Sequence, residues 1–191
     1  MKIEVESVGP YFKHDFRYNH QIKTLLALDD LISSFRDQVG DGYDGLSFIE
    51  DAESIYGLGL ISLQNYINKS IKDYCYSFEN KSKKDYFYKK GKVITGYNNT
   101  NIELINALAN YAKHGQEAIR PTTQMMLKNF GIQVFDEYDF KDESCSEICD
   151  IDKANDLEYS PINLGIPLLT NNSQLVSIFQ DVKKWRDDLW K

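Results

Sequence analysis

From Phe48 to Phe78 the chain reads as one long amphipathic helix, and that run limits the fold more than any other feature. Phe48, Ala52, Ile55, Leu63, Tyr66, Ile67, Ile71, Tyr74, Cys75 and Phe78 line one side of it. This is helical spacing; a half-buried strand would alternate every second residue. Ser47 and Glu50 form a capping-box pattern just ahead of the run. Unbroken to Phe78, the helix would be about 48 Å long at 1.5 Å per residue. An element of that length needs other helices alongside to cover its apolar stripe, which predicts a bundle. Gly57 and Gly59 interrupt the run. Each costs roughly 1 kcal/mol relative to alanine inside a helix, so a kink or a close helix crossing is expected there.

The partners for such a bundle are present. Ile22, Leu25, Leu26, Leu28, Ile32, Phe35 and Val39 follow the helical period over Tyr18 to Val39, with Gly40 and Gly42 behind them. Thr100 and Glu103 form a second capping box, opening a helix that runs to His114 with Gly115 as its C′ residue. Pro121 opens a shorter helix to Phe130, stopped by Gly131. A last amphipathic helix spans Asn172 to Trp190 through Leu175, Phe179, Val182, Trp185 and Leu189. Its apolar face suits either a core or a homodimer contact. "SPINLGIPLL", Ser160 to Leu169, reads as irregular. β signals are few. Lys2 to Val8 alternates like a short strand, Ile132 to Phe140 is a second candidate, and "DYFYKKGKVITGY" places two β-prone runs around Lys90-Gly91, a hairpin pattern. The expectation is therefore a mainly α fold: an antiparallel bundle of four to five helices with a short N-terminal strand and a small β-hairpin, as a single domain over residues 1–191.

The charge is unevenly placed. The chain carries −7 overall, yet Asp136 to Glu158 holds ten acids and two lysines, leaving the remainder near +1. A short basic stretch, Lys81 to Lys92, sets six lysines against Asp85 and interleaves Tyr86, Phe87 and Tyr88. It could contact phosphates and stack bases, or be a solvated hairpin whose alternate aromatics join the core. Overall acidity argues against general nucleic-acid binding, which needs clustered positive charge. The acidic segment offers a docking surface for a basic protein partner through steered association, with Asp136, Glu137, Asp139, Asp142, Glu143, Glu147, Asp150 and Asp152 as its contacts; the plainer alternative is a solubilising loop. No apolar run is long enough to span a membrane. "MKIEVESVGP" has no apolar core of a signal peptide, so a cytoplasmic location is expected. Cys75, Cys145 and Cys149 lack metal or disulfide spacing, and the acids around Cys145 and Cys149 disfavour reactive thiolates. His14 and His20 are poorly spaced as metal ligands. Neither a metal nor a cofactor is expected.

"ALANYAKHGQEAIRP", Ala107 to Pro121, carries the most chemistry. Wound at about 100° per residue, Glu103, Asn106, Asn110, Lys113 and His114 share an arc of roughly 100°, with Leu104, Ile105, Leu108 and Ala112 opposite. That face is either a catalytic cluster or the wet side of an amphipathic helix, where a terminal histidine also meets the negative end of the helix dipole. An N-x-x-x-H pattern late in a helix of a small bundle resembles the HEPN superfamily. The resemblance implies a helical bundle, often dimeric, common in bacterial toxin–antitoxin and phage-defence systems. Many members are metal-independent endoribonucleases whose signature is an arginine, four to six intervening residues, then a histidine, commonly with a polar residue right after the arginine. Here the histidine is His114 and the polar residue Asn110. The arginine position falls at Ala109, or at Asn106 to Leu108 for longer spacings, and none of these is arginine. RNA cleavage without metal needs a base for the 2′-hydroxyl and a fixed cation for the phosphorane charge. The second half must then come from Lys113 or elsewhere. Two functions follow: an immunity protein or antitoxin that binds and neutralises a basic toxin, or a HEPN-like endoribonuclease acting on RNA through Asn110, Lys113 and His114.

Overall fold

The computed structural model describes residues 13–38, 45–115, 118–134 and 160–191. Within these lie seven helices: α1 Tyr18–Gln38, α2 Gly45–Ser77, α3 Lys84–Tyr88, α4 Asn101–His114, α5 Pro121–Lys128, α6 Pro161–Leu169 and α7 Leu175–Leu189. The fold is mainly α, as the periodicity predicts. The Lys2–Val8 strand lies outside the described residues, as does most of Ile132–Phe140, whose first three residues are irregular.

α2 is the hub. Its 33 residues run unbroken through both glycines, and it packs against α1, α7, α4 and α6. The helix begins at Gly45, so Ser47 lies inside its first turn. Of the two outcomes expected at the glycines, the close crossing is the one observed. A Cβ at Gly57 would lie 3.2 Å from that of Ala112 on α4, and one at Gly59 only 2.5 Å from Leu175 Cδ1 on α7.

Long-range contacts fix the helix directions. Arg17 pairs with Asp73 while Arg36 lies over Phe48, so α1 and α2 are antiparallel. Gly57 meets Ala112 while Gln64 meets Asn106, so α2 and α4 are antiparallel too. α7 departs from the expected pattern. Leu175 sits on Gly59, Phe179 stacks edge-on to Tyr66 at 5.1 Å and Trp190 to Tyr74 at 5.6 Å, so α7 runs parallel to α2. Its apolar face, Leu175, Ile178, Phe179, Val182 and Trp185, is buried within the chain.

Two expectations need correction. No hairpin forms at Lys90-Gly91. Neighbouring Phe87 and Tyr88 are both buried, which a hairpin strand with one face in solvent would not allow. The short helix α3 places both inward, where Trp185 Nε1 donates to the Phe87 carbonyl and the Thr100 hydroxyl to that of Tyr88. β pairing among the described residues reduces to one antiparallel bridge, Val93 with Thr100. "SPINLGIPLL" is not irregular but helix α6. Ser160 caps it by accepting from Ile162 N, and Pro161 occupies the first turn, where no amide donor is needed. Gly165 lets the Leu108 side chain press onto the α6 backbone.

Candidate functional site

α4 is more deeply buried than an amphipathic surface helix. Thr100 Oγ1 accepts from Glu103 N, and the Glu103 carboxylate accepts from Thr100 N at 2.8 Å, so the predicted capping box is formed. Ile102, Leu104, Ile105, Leu108 and Ala109 are fully enclosed, and Glu103 is only 6% exposed. α2, α5 and α6 surround the helix. Only its last turn, with Lys113 and His114, stands in solvent.

The shared polar face exists, but it divides. Asn106, Asn110 and Lys113 converge on one residue of α2, Gln64, which is 4% exposed. Gln64 Nε2 donates to Asn106 Oδ1 at 2.7 Å, to Asn110 Oδ1 at 2.9 Å and to the Asn106 carbonyl at 3.2 Å. Lys113 Nζ donates to Gln64 Oε1. His114 takes no part in this cluster. The Gly115 N–H donates to the Tyr111 carbonyl, and a φ of 64° lets Gly115 end the helix.

Sequence reasoning missed Gln64. A signal was available: it lies four residues after Leu60 and three before Ile67, on the buried stripe of α2. A lone amide on an apolar stripe needs polar partners on the facing helix. Which helix faces it depends on the fold and cannot be read from spacing.

On its outer side this polar cluster opens into a cleft of about 440 Å³ between α3, α4 and α5. Asn106 and Asn110 form one wall, Asp85 and Lys89 of α3 the rim, and Thr122 and Met126 of α5 the opposite wall. Tyr88 lines it too, its hydroxyl donating to Asn68 Oδ1 at 2.8 Å; burial and the nearby Asp85 carboxylate push that phenol up to about 12. A second hollow, about 500 Å³, lies between α2, α4 and α6, lined by Glu53, Gly57, Leu58, Tyr111 and Ile162. Burial raises the Glu53 carboxyl above its ordinary value, partly offset by a hydrogen bond from the Ser160 hydroxyl.

The remaining candidates scatter. Asp136, Glu137, Asp139, Asp142, Glu143, Glu147, Asp150 and Asp152 lie outside the described residues, as do Cys145 and Cys149. Among the described residues no three of His, Cys, Asp and Glu gather as a metal site. His14 is exposed and tilted against Phe16. Its neighbours matter more. Asp15 Oδ2 accepts from the Tyr66 hydroxyl and lies 3.7 Å from Nε of Arg186, which is 2% exposed; Arg17 pairs with Asp73 at 2.7 Å. These pairs bind the residues ahead of α1 to α2 and α7. In the basic stretch, Phe87 and Tyr88 belong to the core and only Tyr86 stands outside, with Lys90 Nζ 4.7 Å from its ring centroid. No described helix is long and apolar enough to cross a membrane.

Comparison of the chain with protein-family models, with curated proteins and with solved structures finds no match in any of the three.

Proposed function

We infer that this chain is a small acidic interaction protein, of the immunity-protein or antitoxin kind found in bacterial conflict systems, that binds and neutralises a basic protein partner. One observation carries the choice of binding over catalysis. Gln64 engages Asn106, Asn110 and Lys113 together, so the Lys113 ammonium that would have to replace the missing arginine, and both asparagine side-chain oxygens, join α2 to α4. The HEPN-like register adds support. An arginine at Ala109, Ala107 or Leu108 would point into the core, because all three positions are buried. The charge map supplies the partner's character: ten acids between Asp136 and Glu158 attract a cationic surface.

The test is co-purification with the product of a neighbouring gene. A stable complex is expected, weakened by salt and by neutralising the acids of Asp136 to Glu158. His114→Ala is expected to leave it intact. A complex indifferent to charge reversal there would remove the acidic segment as docking surface. Growth arrest and RNA degradation on expression, both abolished by His114→Ala, would instead establish the endoribonuclease.

A further inference from the structure

We propose that the cleft between α3, α4 and α5 binds an extended peptide segment, through paired hydrogen bonds from Asn106 and Asn110 to alternate main-chain carbonyls. The proposal rests on the reading of this chain as a binding protein and supplies a contact surface distinct from the acidic segment.

The argument starts at Lys113. An ammonium group only donates, so the Gln64 atom it meets is oxygen, and the other end of that carboxamide is the NH2 group. That NH2 donates inward to Oδ1 of both asparagines. Each asparagine's own NH2 is therefore turned away from Gln64. Neither Nδ2 makes a hydrogen bond to a described residue, and both side chains line the cleft. One lysine thus orients three carboxamides, and the outcome is two fixed donors facing an open groove. Rigid donors whose orientation is set before binding lose little on complex formation.

Geometry selects the ligand. Residues four apart on a helix are separated by about 6 Å along its axis. In an extended peptide, carbonyls on one side recur every second residue, at roughly 6.7 Å. Two donors on that pitch match two alternate carbonyls, which is how main-chain recognition provides affinity independent of side chains. The surroundings suit a short segment. Met126 and Thr122 offer an apolar and a hydroxyl contact opposite, and Asp85 at the rim, in no ion pair with a described residue, accepts a basic side chain from the peptide.

The test uses the full chain, labelled with nitrogen-15, and a capped threonine pentapeptide with a central lysine. The side-chain NH2 signals of Asn106 and Asn110 are expected to shift saturably as this peptide is added up to about 10 mM. Gln64→Glu is the decisive variant. A carboxylate still accepts from Lys113 but cannot donate to the asparagines, so both carboxamides flip and present oxygen to the cleft; binding should weaken about tenfold or more. Asn110→Ala, at a half-buried site, removes one donor and should weaken it severalfold, which keeps the test decisive if Gln64→Glu does not fold. Unshifted amide signals would overturn the proposal, and so would equal affinity in both folded variants. Shifts produced by inorganic phosphate but not by the peptide would overturn it in favour of a small-anion site. The natural partner is absent from this titration, so its failure leaves the charge-neutralisation test of the complex untouched.

Discussion

Leu175 packs directly on the backbone of Gly59, so closely that a Cβ there would lie 2.5 Å from its Cδ1 and 2.7 Å from its Cδ2. Leu175 is fully buried at the start of α7, so an added methyl must displace a packed side chain. Gly59→Ala should therefore destabilise the fold by about 1–3 kcal/mol through overpacking, although alanine is the better helix former by roughly 1 kcal/mol. Gly57 differs. Its nearest neighbours would stand at 3.2 Å (Ala112 Cβ) and 3.5 Å (Ile162 Cδ1), so Gly57→Ala should change stability by less than about 1 kcal/mol. Urea unfolding of both variants checks the contrast, and equal midpoints would contradict it.

Asp29 of α1 caps α7 across the bundle. Its Oδ1 accepts from Leu175 N at 2.8 Å and its Oδ2 from Val176 N at 3.0 Å. The residue preceding α7, Gln174, makes no side-chain cap. Asp29→Ala should cost about 1–2 kcal/mol, the usual loss for a helix N-cap. Asn, with one side-chain oxygen in place of two, should recover only part of that. Thermal unfolding of the three proteins orders them, and an Asp29→Ala variant as stable as the parent would show that the amides find water instead.

That cap also shows what the sequence could and could not reveal. The Thr100–Glu103 box, the helix stop at Gly115 and the apolar stripes of α1, α2 and α7 were legible because each depends on residues within a turn or two of one another. Asp29 and Leu175 are 146 positions apart, so no local pattern joins them. α6 was misread because Pro161, Gly165 and Pro167 look like breakers in isolation. In place, Pro161 begins the helix and Gly165 admits Leu108. The site followed the same rule. A helical wheel could put Asn106, Asn110 and Lys113 on one face, but their meeting with Gln64 depends on the α2–α4 register.

Asp15 should matter more than its place ahead of the first helix implies. Its side chain is 7% exposed, accepts from Tyr66 and from Arg17 N at 3.3 Å, and lies 3.7 Å from Nε of the enclosed Arg186. Removing one partner of a buried ion pair leaves the other charge uncompensated. Arg186 keeps its contacts to the Lys13 carbonyl and to Asp187, so the loss for Asp15→Ala should fall near the lower end of the usual range, about 3 kcal/mol. Chemical denaturation measures it. A loss under about 0.5 kcal/mol, typical of an exposed pair, would mean that water reaches Arg186.

Glu53 predicts the sign of a pH effect. Burial raises its carboxyl above the ordinary 4.5, against the lowering effect of the Ser160 hydroxyl. Just above pH 4.5 the folded state therefore holds more protons than the unfolded state, and stability falls as pH rises through that window. The penalty is complete once pH exceeds the raised folded value. Gln at this position keeps an acceptor for Ser160 but cannot ionise, so it escapes the penalty. Relative to the parent, Glu53→Gln should gain stability between about pH 4 and pH 7, read as a widening difference in urea midpoints. The comparison isolates Glu53 because Asp29, also raised by burial, is present in both proteins. A midpoint difference that stays constant over that range would show that Glu53 ionises alike in the folded and unfolded chains.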